Sequence, residues 1–137
     1  MTNKPRFVFD TNTLVSALLF KDSVPRKAFN RAMKSGVILI SLDVVAELND
    51  VLSRKKFNKY VTEEERIEFL ILLLHETVFV EVKENIVECR DQRDDKFLEL
   101  AVCGNSQYII SGDADLLVLH PFRNISIVTP RDFLELI

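Results

Sequence analysis

The sequence predicts an α/β domain in which helices cover both faces of a mostly parallel sheet. Short apolar runs alternate with longer segments whose apolar residues recur at helical spacing, and this alternation is typical of the class. The 3 glycines and 4 prolines form no linker, and the chain has no internal repeat. We therefore expect residues 1–137 to form a single domain.

The first half of the chain predicts two strands and four helices. Either Thr11 or Asn12 caps the first helix, a proline starts the second, and Ser41 caps the third. Thr62 and Glu65 form a capping box at the fourth. The predicted strands are 6–10 and 37–40, and the helices run to about residue 20, over 25–35, from residue 42 onward and from 62 to about 76.

The second half predicts three strands and three helices. Asp94 is a suitable cap for one helix, and Thr129 with the following proline opens the last one. The predicted strands are 78–82, 108–110 and 125–128, and the first two helices cover 95–104 and 115–119. Such strand–helix alternation favours a parallel sheet, whose ligands bind at the carboxyl ends of the strands.

Composition excludes several classes of protein. Hydrophobic residues make up 47% of the chain, which excludes a disordered protein. Cys89 and Cys103 form no CxxC pair and have no histidine at ligand spacing, which argues against a disulfide scaffold and structural zinc. The longest apolar run, 69–74, is too short for a membrane span, and no signal peptide is recognisable. We therefore expect a cytoplasmic protein without a membrane partner.

Four acidic residues are expected near the carboxyl edge of the sheet. Asp10 ends the first strand, and Asp113 follows strand 108–110. Glu47 lies on the helix after the second strand, and Asp95 opens the helix before strand 108–110. A divalent cation such as Mg²⁺ or Mn²⁺ relieves the repulsion among clustered carboxylates and activates water for phosphodiester hydrolysis. Taken singly, Asp95 also fits a helix cap, and Glu47 also fits a solvated face.

Four segments resemble, in order, the motifs of the PIN-domain nucleases. The segments are FDTNTLVSA (9–17), SLDVVAEL (41–48), RDQRDDKFLELA (90–101) and ISGDADLL (110–117). The match as a whole covers nearly the whole chain, and the likeness extends in particular to the VapC-like toxins of toxin–antitoxin systems.

This resemblance implies a three-layer α/β/α PIN-like fold with a central, mainly parallel sheet of about five strands. It implies a Mg²⁺- or Mn²⁺-dependent endoribonuclease, the toxin of a type II toxin–antitoxin pair. The family pattern favours Asp95 over Asp94 in the third motif, which leaves Asp94 as a cap or a supporting acid. The implied catalytic residues and metal ligands are Asp10, Glu47, Asp95 and Asp113, with Asn12, Ser111, Asp115 and Asp94 as auxiliary residues.

The mechanism expected for such a site is hydrolysis by water. One metal ion, or two about 4 Å apart, lowers the pKa of a bound water, and a carboxylate that is not a ligand orients that water as general base. The products are a 5′-phosphate and a 3′-hydroxyl. Neither His75 nor His120 lies in a motif, so a route through the RNA 2′-hydroxyl has no support.

Other reaction classes fit less well. A haloacid-dehalogenase-type phosphatase needs a second aspartate two residues after the first, where this chain has Asn12. A response-regulator receiver needs a phosphate-accepting aspartate after its third strand, and the region after Val82 offers none. The remaining alternative is a catalytically inactive PIN-like module that binds RNA or protein, and the presence of all four acids argues against it.

The expected partners are an RNA substrate and a cognate antitoxin, and the sequence leaves a homodimer open. The net charge of −3 gives no overall attraction for nucleic acid. Arg54, Lys55 and Lys56 form a basic stretch that can contact phosphates, but they also fit a solvated helix end. The amphipathic helices 25–35 and 62–74 can receive a partner helix, unless their apolar residues are core.

Overall fold

A computed structural model describes residues 4–137 of the chain, and strands and helices alternate along them as predicted. The strands are β1 Arg6–Phe9, β2 Val37–Ile40, β3 Val78–Phe79, β4 Tyr108–Ile110 and β5 Ser126–Val128. The helices are α1 Thr11–Leu19, α2 Val24–Ser35, α3 Leu42–Leu52, α4 Glu63–Glu76, α5 Asp95–Cys103, α6 Ala114–Leu117 and α7 Pro130–Leu136. Two short 3₁₀ turns cover Lys55–Phe57 and Gln92–Asp94.

The five strands form one parallel sheet in the order β3-β2-β1-β4-β5. From β1 the chain moves outward through β2 to β3, and it then returns to place β4 and β5 on the other side of β1. Because the direction of winding reverses between β1 and β4, a crevice opens outside the carboxyl ends of these two strands. The helices flank the sheet, and the molecule has the three-layer α/β/α fold.

The central strands are buried on both faces, which explains their continuous apolar sequences. Phe7, Val8 and Phe9 of β1 are each at most 1% exposed to solvent. Phe133 of α7 packs edge-on against Phe7, with the ring centroids 5.2 Å apart. This packing anchors the last helix to the first strand and completes the core beside the crevice.

Most of the predicted helix caps are present. The Ser41 side chain accepts a hydrogen bond from the Val44 N–H, and Thr129 caps α7. Thr62 and Glu65 form both hydrogen bonds of the capping box at α4. These caps depend on local sequence alone, which is why the sequence predicts them.

Two local predictions were wrong. Asp10 caps α1 instead of Thr11 or Asn12, because Asp10 has extended backbone angles and Thr11 is already helical. Strand β3 ends at Phe79 and does not reach residue 82. Its neighbour β2 ends at Ile40, whose carbonyl accepts the Val80 N–H at 2.8 Å, so the following residues have no strand to pair with.

Helix α4 leaves apolar side chains on the surface. Leu73 is buried against the core, whereas Ile71 and Leu72 are each 57% exposed and Leu74 is 49% exposed. The apolar residues of this helix are therefore only partly core. None of the helices that the structure describes is long and apolar enough to cross a membrane.

Candidate functional site

The ends of β1 and β4 bring Asp10 and Asp113 to the same crevice. The Asp10 N–H donates to the Ile110 carbonyl at 3.2 Å, which aligns the two strand ends. The fully buried Ser111 donates its hydroxyl to Asp10 Oδ2 and accepts the Asp113 N–H at 2.9 Å. Ser111 thus makes a supporting hydrogen bond of the kind the resemblance implies, and it connects the two acids through one side chain.

Asp10 is fixed by two hydrogen bonds in a buried position, where the negative charge of its carboxylate is disfavoured. Its Oδ1 accepts the Thr13 N–H at 2.9 Å, and the side chain is 4% exposed. Burial raises the pKa of Asp10 above its ordinary value, and the charge of Asp113 adds to this rise, although the hydrogen bonds from Ser111 and Thr13 oppose it. A cation in the crevice would favour the ionised form.

Asp95, which the family pattern favours as the acid of the third motif, lines neither of the clefts beside Asp10. Asp95 is 6% exposed, and its Oδ1 accepts the backbone N–H groups of Cys89 at 2.7 Å and Glu88 at 3.1 Å. These bonds outweigh the effect of burial and hold the pKa of Asp95 below its ordinary value. Asp95 therefore ties the loop before α5 to the first turn of that helix instead of facing Asp10.

Asp94 takes the place in the crevice that Asp95 was expected to fill. It precedes α5 with helical backbone angles and makes no capping hydrogen bond, so the predicted cap was also wrong. Successive helical side chains point about 100° apart, which turns these neighbours toward different surroundings. Carboxylate oxygens of Asp94, Asp113 and Asp115 all lie within 4.8 Å of one another.

This group of three carboxylates fits a divalent cation. Asp94 Oδ2 is buried and has no hydrogen-bond partner among the described residues. Burial raises the pKa of Asp94 to about 7, and the negative charges of Asp113, Asp91 and Asp10 add to the rise. Oxygen ligands of this kind suit Mg²⁺ and Mn²⁺, and an unpartnered buried oxygen is costly without a cation or proton.

Glu47 reaches the same crevice from α3, but it is paired with protein groups. Its Oε1 accepts the Thr11 hydroxyl, and its Oε2 lies 2.7 Å from the Lys96 ammonium. Asp115 also has a counterion, because Arg90 approaches its Oδ1 at 3.1 Å. Glu47 and Asp115 thus each have a basic counterion, whereas Asp94 has no ion-pair partner among the described residues.

Two clefts meet at these carboxylates and share Asp10, Asn12 and Asp113. The smaller, of about 300 Å³, also contains Glu47, Asp94, Arg54 and Arg93. The larger, of about 770 Å³, extends along the starts of α2 and α7 and contains Arg131. Asn12, an auxiliary residue by the resemblance, lines both clefts, and Arg54 of the basic stretch lines the smaller one. Lys55 and Lys56 are exposed on the 3₁₀ turn and line neither cleft.

Three basic residues beside the acids were not predicted from the sequence. They are Arg93, Lys96 and Arg131. Arg131 follows the last strand, so the rule that ligands bind at carboxyl ends of strands could have found it. Arg93 and Lys96 lie inside the third motif, next to its aspartates, and their position in the motif was the signal that could have indicated them.

Comparison with known proteins identifies the family. Residues 6–115 match the family model described as the PIN domain. The chain belongs to the PIN domain family. PIN domains are generally nucleases, and such nucleases generally use divalent metal ions.

Two relatives show how far the likeness to this PIN domain extends. The uncharacterized protein MJ1680 of Methanocaldococcus jannaschii is 28% identical over 142 aligned positions, which cover 96% of this chain and 91% of the relative. A crystal structure of VapBC2 from Rickettsia felis, bound to a DNA fragment from their promoter, is similar with a TM-score of 0.62. That match has 15% identity and covers 89% of this PIN domain and 96% of the solved chain. At that identity, it demonstrates a shared fold.

The Asp94→Asn substitution should reduce the pH dependence of stability in metal-free protein. An unfolded aspartate titrates near 3.8, whereas Asp94 in the fold titrates near 7. The folded chain therefore keeps a proton that the unfolded chain releases, and stability falls as the pH rises between about 4 and about 7. Asparagine has no such proton, so the fall should be smaller. Urea unfolding in EDTA across this pH range measures the difference.

Asp95→Asn is the matched control for that experiment. It should lower stability at neutral pH, because the charged carboxylate of Asp95 accepts the backbone N–H groups of Cys89 and Glu88, and it should keep the pH dependence of the wild type. Parallel curves for wild type and Asp94→Asn would show that the Asp94 carboxylate is not desolvated.

Proposed function

We propose that this PIN domain is a metal-dependent endoribonuclease and the toxin of a type II toxin–antitoxin pair. The observation that carries the proposal is the buried, unpartnered oxygen of Asp94 beside Asp113 and Asp115. The group lies at the carboxyl ends of β1 and β4, where α/β folds bind ligands. Membership of the PIN domain family supports nuclease activity.

Asp94, Asp113 and Asp115 are the residues that would hold Mg²⁺ or Mn²⁺, with Asp10 beside them. When bound, the cation supplies a water of lowered pKa and charge neutralisation for a phosphate. Ser111 and Thr13 fix Asp10 at the edge of the site, so its carboxylate is oriented before substrate arrives. Such pre-orientation avoids reorganisation during the reaction.

Hydrolysis breaks the bond between phosphorus and the 3′-oxygen, and it leaves a 5′-phosphate and a 3′-hydroxyl. The alternative attack by the RNA 2′-hydroxyl needs a general base such as histidine. His120 accepts the Ile127 N–H through Nδ1 at 2.9 Å, and His75 lies near the end of α4, outside both clefts. The structure therefore favours hydrolysis by water.

Substitution of Asp94 should abolish RNA cleavage, whereas substitution of its neighbour should not. We expect Asp94→Asn to lower the rate at least about 100-fold, as for loss of a group that acts mainly in the transition state. Asp95→Asn should keep most of the rate below its melting temperature. The assay uses structured RNA, unstructured RNA and DNA of the same sequence, with Mn²⁺ or with EDTA.

Three results would contradict the proposed function or its assignment of the site acids. Cleavage that persists in EDTA would exclude the metal mechanism. Loss of activity in Asp95→Asn with full activity in Asp94→Asn would restore Asp95, the acid that the family pattern favours. A folded protein that cleaves none of the substrates would support the inactive binding module.

Arg131 should bind the RNA backbone in the larger cleft. It lies on the cleft wall, and within residues 4–137 no carboxylate forms an ion pair with it. We expect Arg131→Gln to raise KM with little change in kcat, and to reduce the slope of log KM against log salt by about 0.7. Lys34→Gln, on α2 but outside both clefts, is the control and should change neither quantity. Equal effects of the two variants would exclude a local contact.

The antitoxin is proposed to bind the apolar groove between α1, α2 and α4. This groove has a volume of about 370 Å³ and contains Leu18, Phe29, Met33, Phe69 and Leu72. An amphipathic helix is the segment that such a groove accepts. The structural relative VapBC2, which binds DNA from its promoter, supports a search for a partner encoded beside this gene.

Leu72→Glu should prevent the product of the neighbouring reading frame from co-purifying, because it places a charge in the apolar groove. Leu74→Glu is the control, since Leu74 is similarly exposed on α4 but lies outside the groove. RNA cleavage by the free protein should be unchanged in both variants. Retention of the partner by Leu72→Glu would exclude this groove as its binding site.

A further inference from the structure

Lys96 and Glu47 form an unusually shielded ion pair at the border of the site. The Lys96 Nζ lies 2.7 Å from Glu47 Oε2, and the two side chains are 17% and 27% exposed. In every other ion pair within residues 4–137, at least one of the two side chains is 50% or more exposed. Shielding from water strengthens the Coulombic attraction between these two side chains.

Both members of the pair are held by further contacts. The Lys96 ammonium also donates to the Arg93 carbonyl, and it lies 5.5 Å from the centre of the Phe97 ring. Glu47 accepts the Thr11 hydroxyl on its other oxygen. The pair therefore connects α3 to the starts of α1 and α5, the elements that carry the crevice acids.

The Lys96 ammonium neutralises the carboxylate of Glu47, so the crevice attracts a cation less strongly on that side. Glu47 lines the smaller cleft together with Asp10, Asp94 and Asp113, but it is not part of the group whose oxygens lie within 4.8 Å. A cation that used Glu47 would have to displace the ammonium, and the ammonium repels any cation placed beside Glu47.

We infer that Lys96 is a positioning residue that keeps Glu47 out of the ligand set of the metal ion. The ion is thereby confined to the side of the crevice formed by Asp94, Asp113 and Asp115, where the counterion of Asp115, Arg90, is 86% exposed and its attraction is weakened by solvent. Lys96 takes the place of a cation at Glu47 and fixes that carboxylate toward Thr11. This inference rests on the proposed function, because it concerns the metal ion proposed there.

Mn²⁺ binding to metal-stripped protein tests the inference without any measurement of catalysis. Lys96→Met removes the ammonium and frees a carboxylate for the cation, so isothermal titration calorimetry should show the Kd for Mn²⁺ lowered by about tenfold or more. The double variant Lys96→Met with Glu47→Gln should return to the wild-type Kd. Lys96→Arg, which keeps the charge, should also resemble the wild type.

A purely structural role for Lys96 predicts a different result, in which Lys96→Met melts earlier but binds Mn²⁺ with the wild-type Kd. That result would overturn the inference and leave the proposed function intact. If Lys96→Met does not fold, Glu47→Gln alone decides the question. An Mn²⁺ Kd within about twofold of the wild type supports the inference, and a marked weakening shows that Glu47 is a ligand and overturns it. Failure of the wild type to bind Mn²⁺ would overturn both proposals.

Discussion

The hydrogen bond from Ser111 to Asp10 connects the ends of β1 and β4, and the geometry of the candidate site depends on it. These strands are far apart in sequence and become neighbours because the chain reverses its direction of winding between them. Ser111 also receives the Asp113 N–H, so one buried hydroxyl sets the positions of two acids. The pairing of β1 with β4 brings the two strand ends together, and the Ser111 hydroxyl then orients the Asp10 carboxylate relative to the Asp113 backbone.

Electrostatic repulsion is the second constraint on the site. Burial and mutual charge raise the pKa of both Asp10 and Asp94, which means that the crevice disfavours their ionised forms. The protein meets part of the negative charge with its own bases, Lys96 at Glu47 and Arg90 at Asp115. Among the described residues Asp94 has no basic partner, so the negative charge of the crevice is compensated unevenly.

The sequence predicted most of the fold because the relevant signals are local. Apolar runs mark the buried strands, and serine or threonine before a helix marks its start, as at Ser41, Thr62 and Thr129. The predictions that were wrong concern features set by strand pairing or by the backbone angles of a single residue. Strand β3 stops early because β2 offers no further partner, and Asp10 replaces the expected caps because it ends a strand and starts a helix at once.

The site was predicted in part, and the reason is visible at Asp94 and Asp95. Motif order and the strand-end rule are sufficient to place Asp10, Glu47 and Asp113 around one crevice. They do not distinguish two adjacent aspartates at a helix start, since a rotation of about 100° decides which one faces the crevice. The backbone N–H groups of Glu88 and Cys89 donate hydrogen bonds to Asp95, and no sequence pattern predicts that contact.

The sequence by itself determined the α/β class, the alternation of strands and helices, the resemblance to the PIN-domain nucleases and the presence of acids at one sheet edge. These properties depend on the periodicity of apolar residues and on the residue types at the ends of helices and strands. Both signals lie within short segments of the chain. Only the tertiary structure decided which acids are buried together, which bases neutralise them and where the clefts run. Those properties depend on distances between residues up to about one hundred positions apart, such as the 101 that separate Asp10 from Ser111, and packing alone sets them.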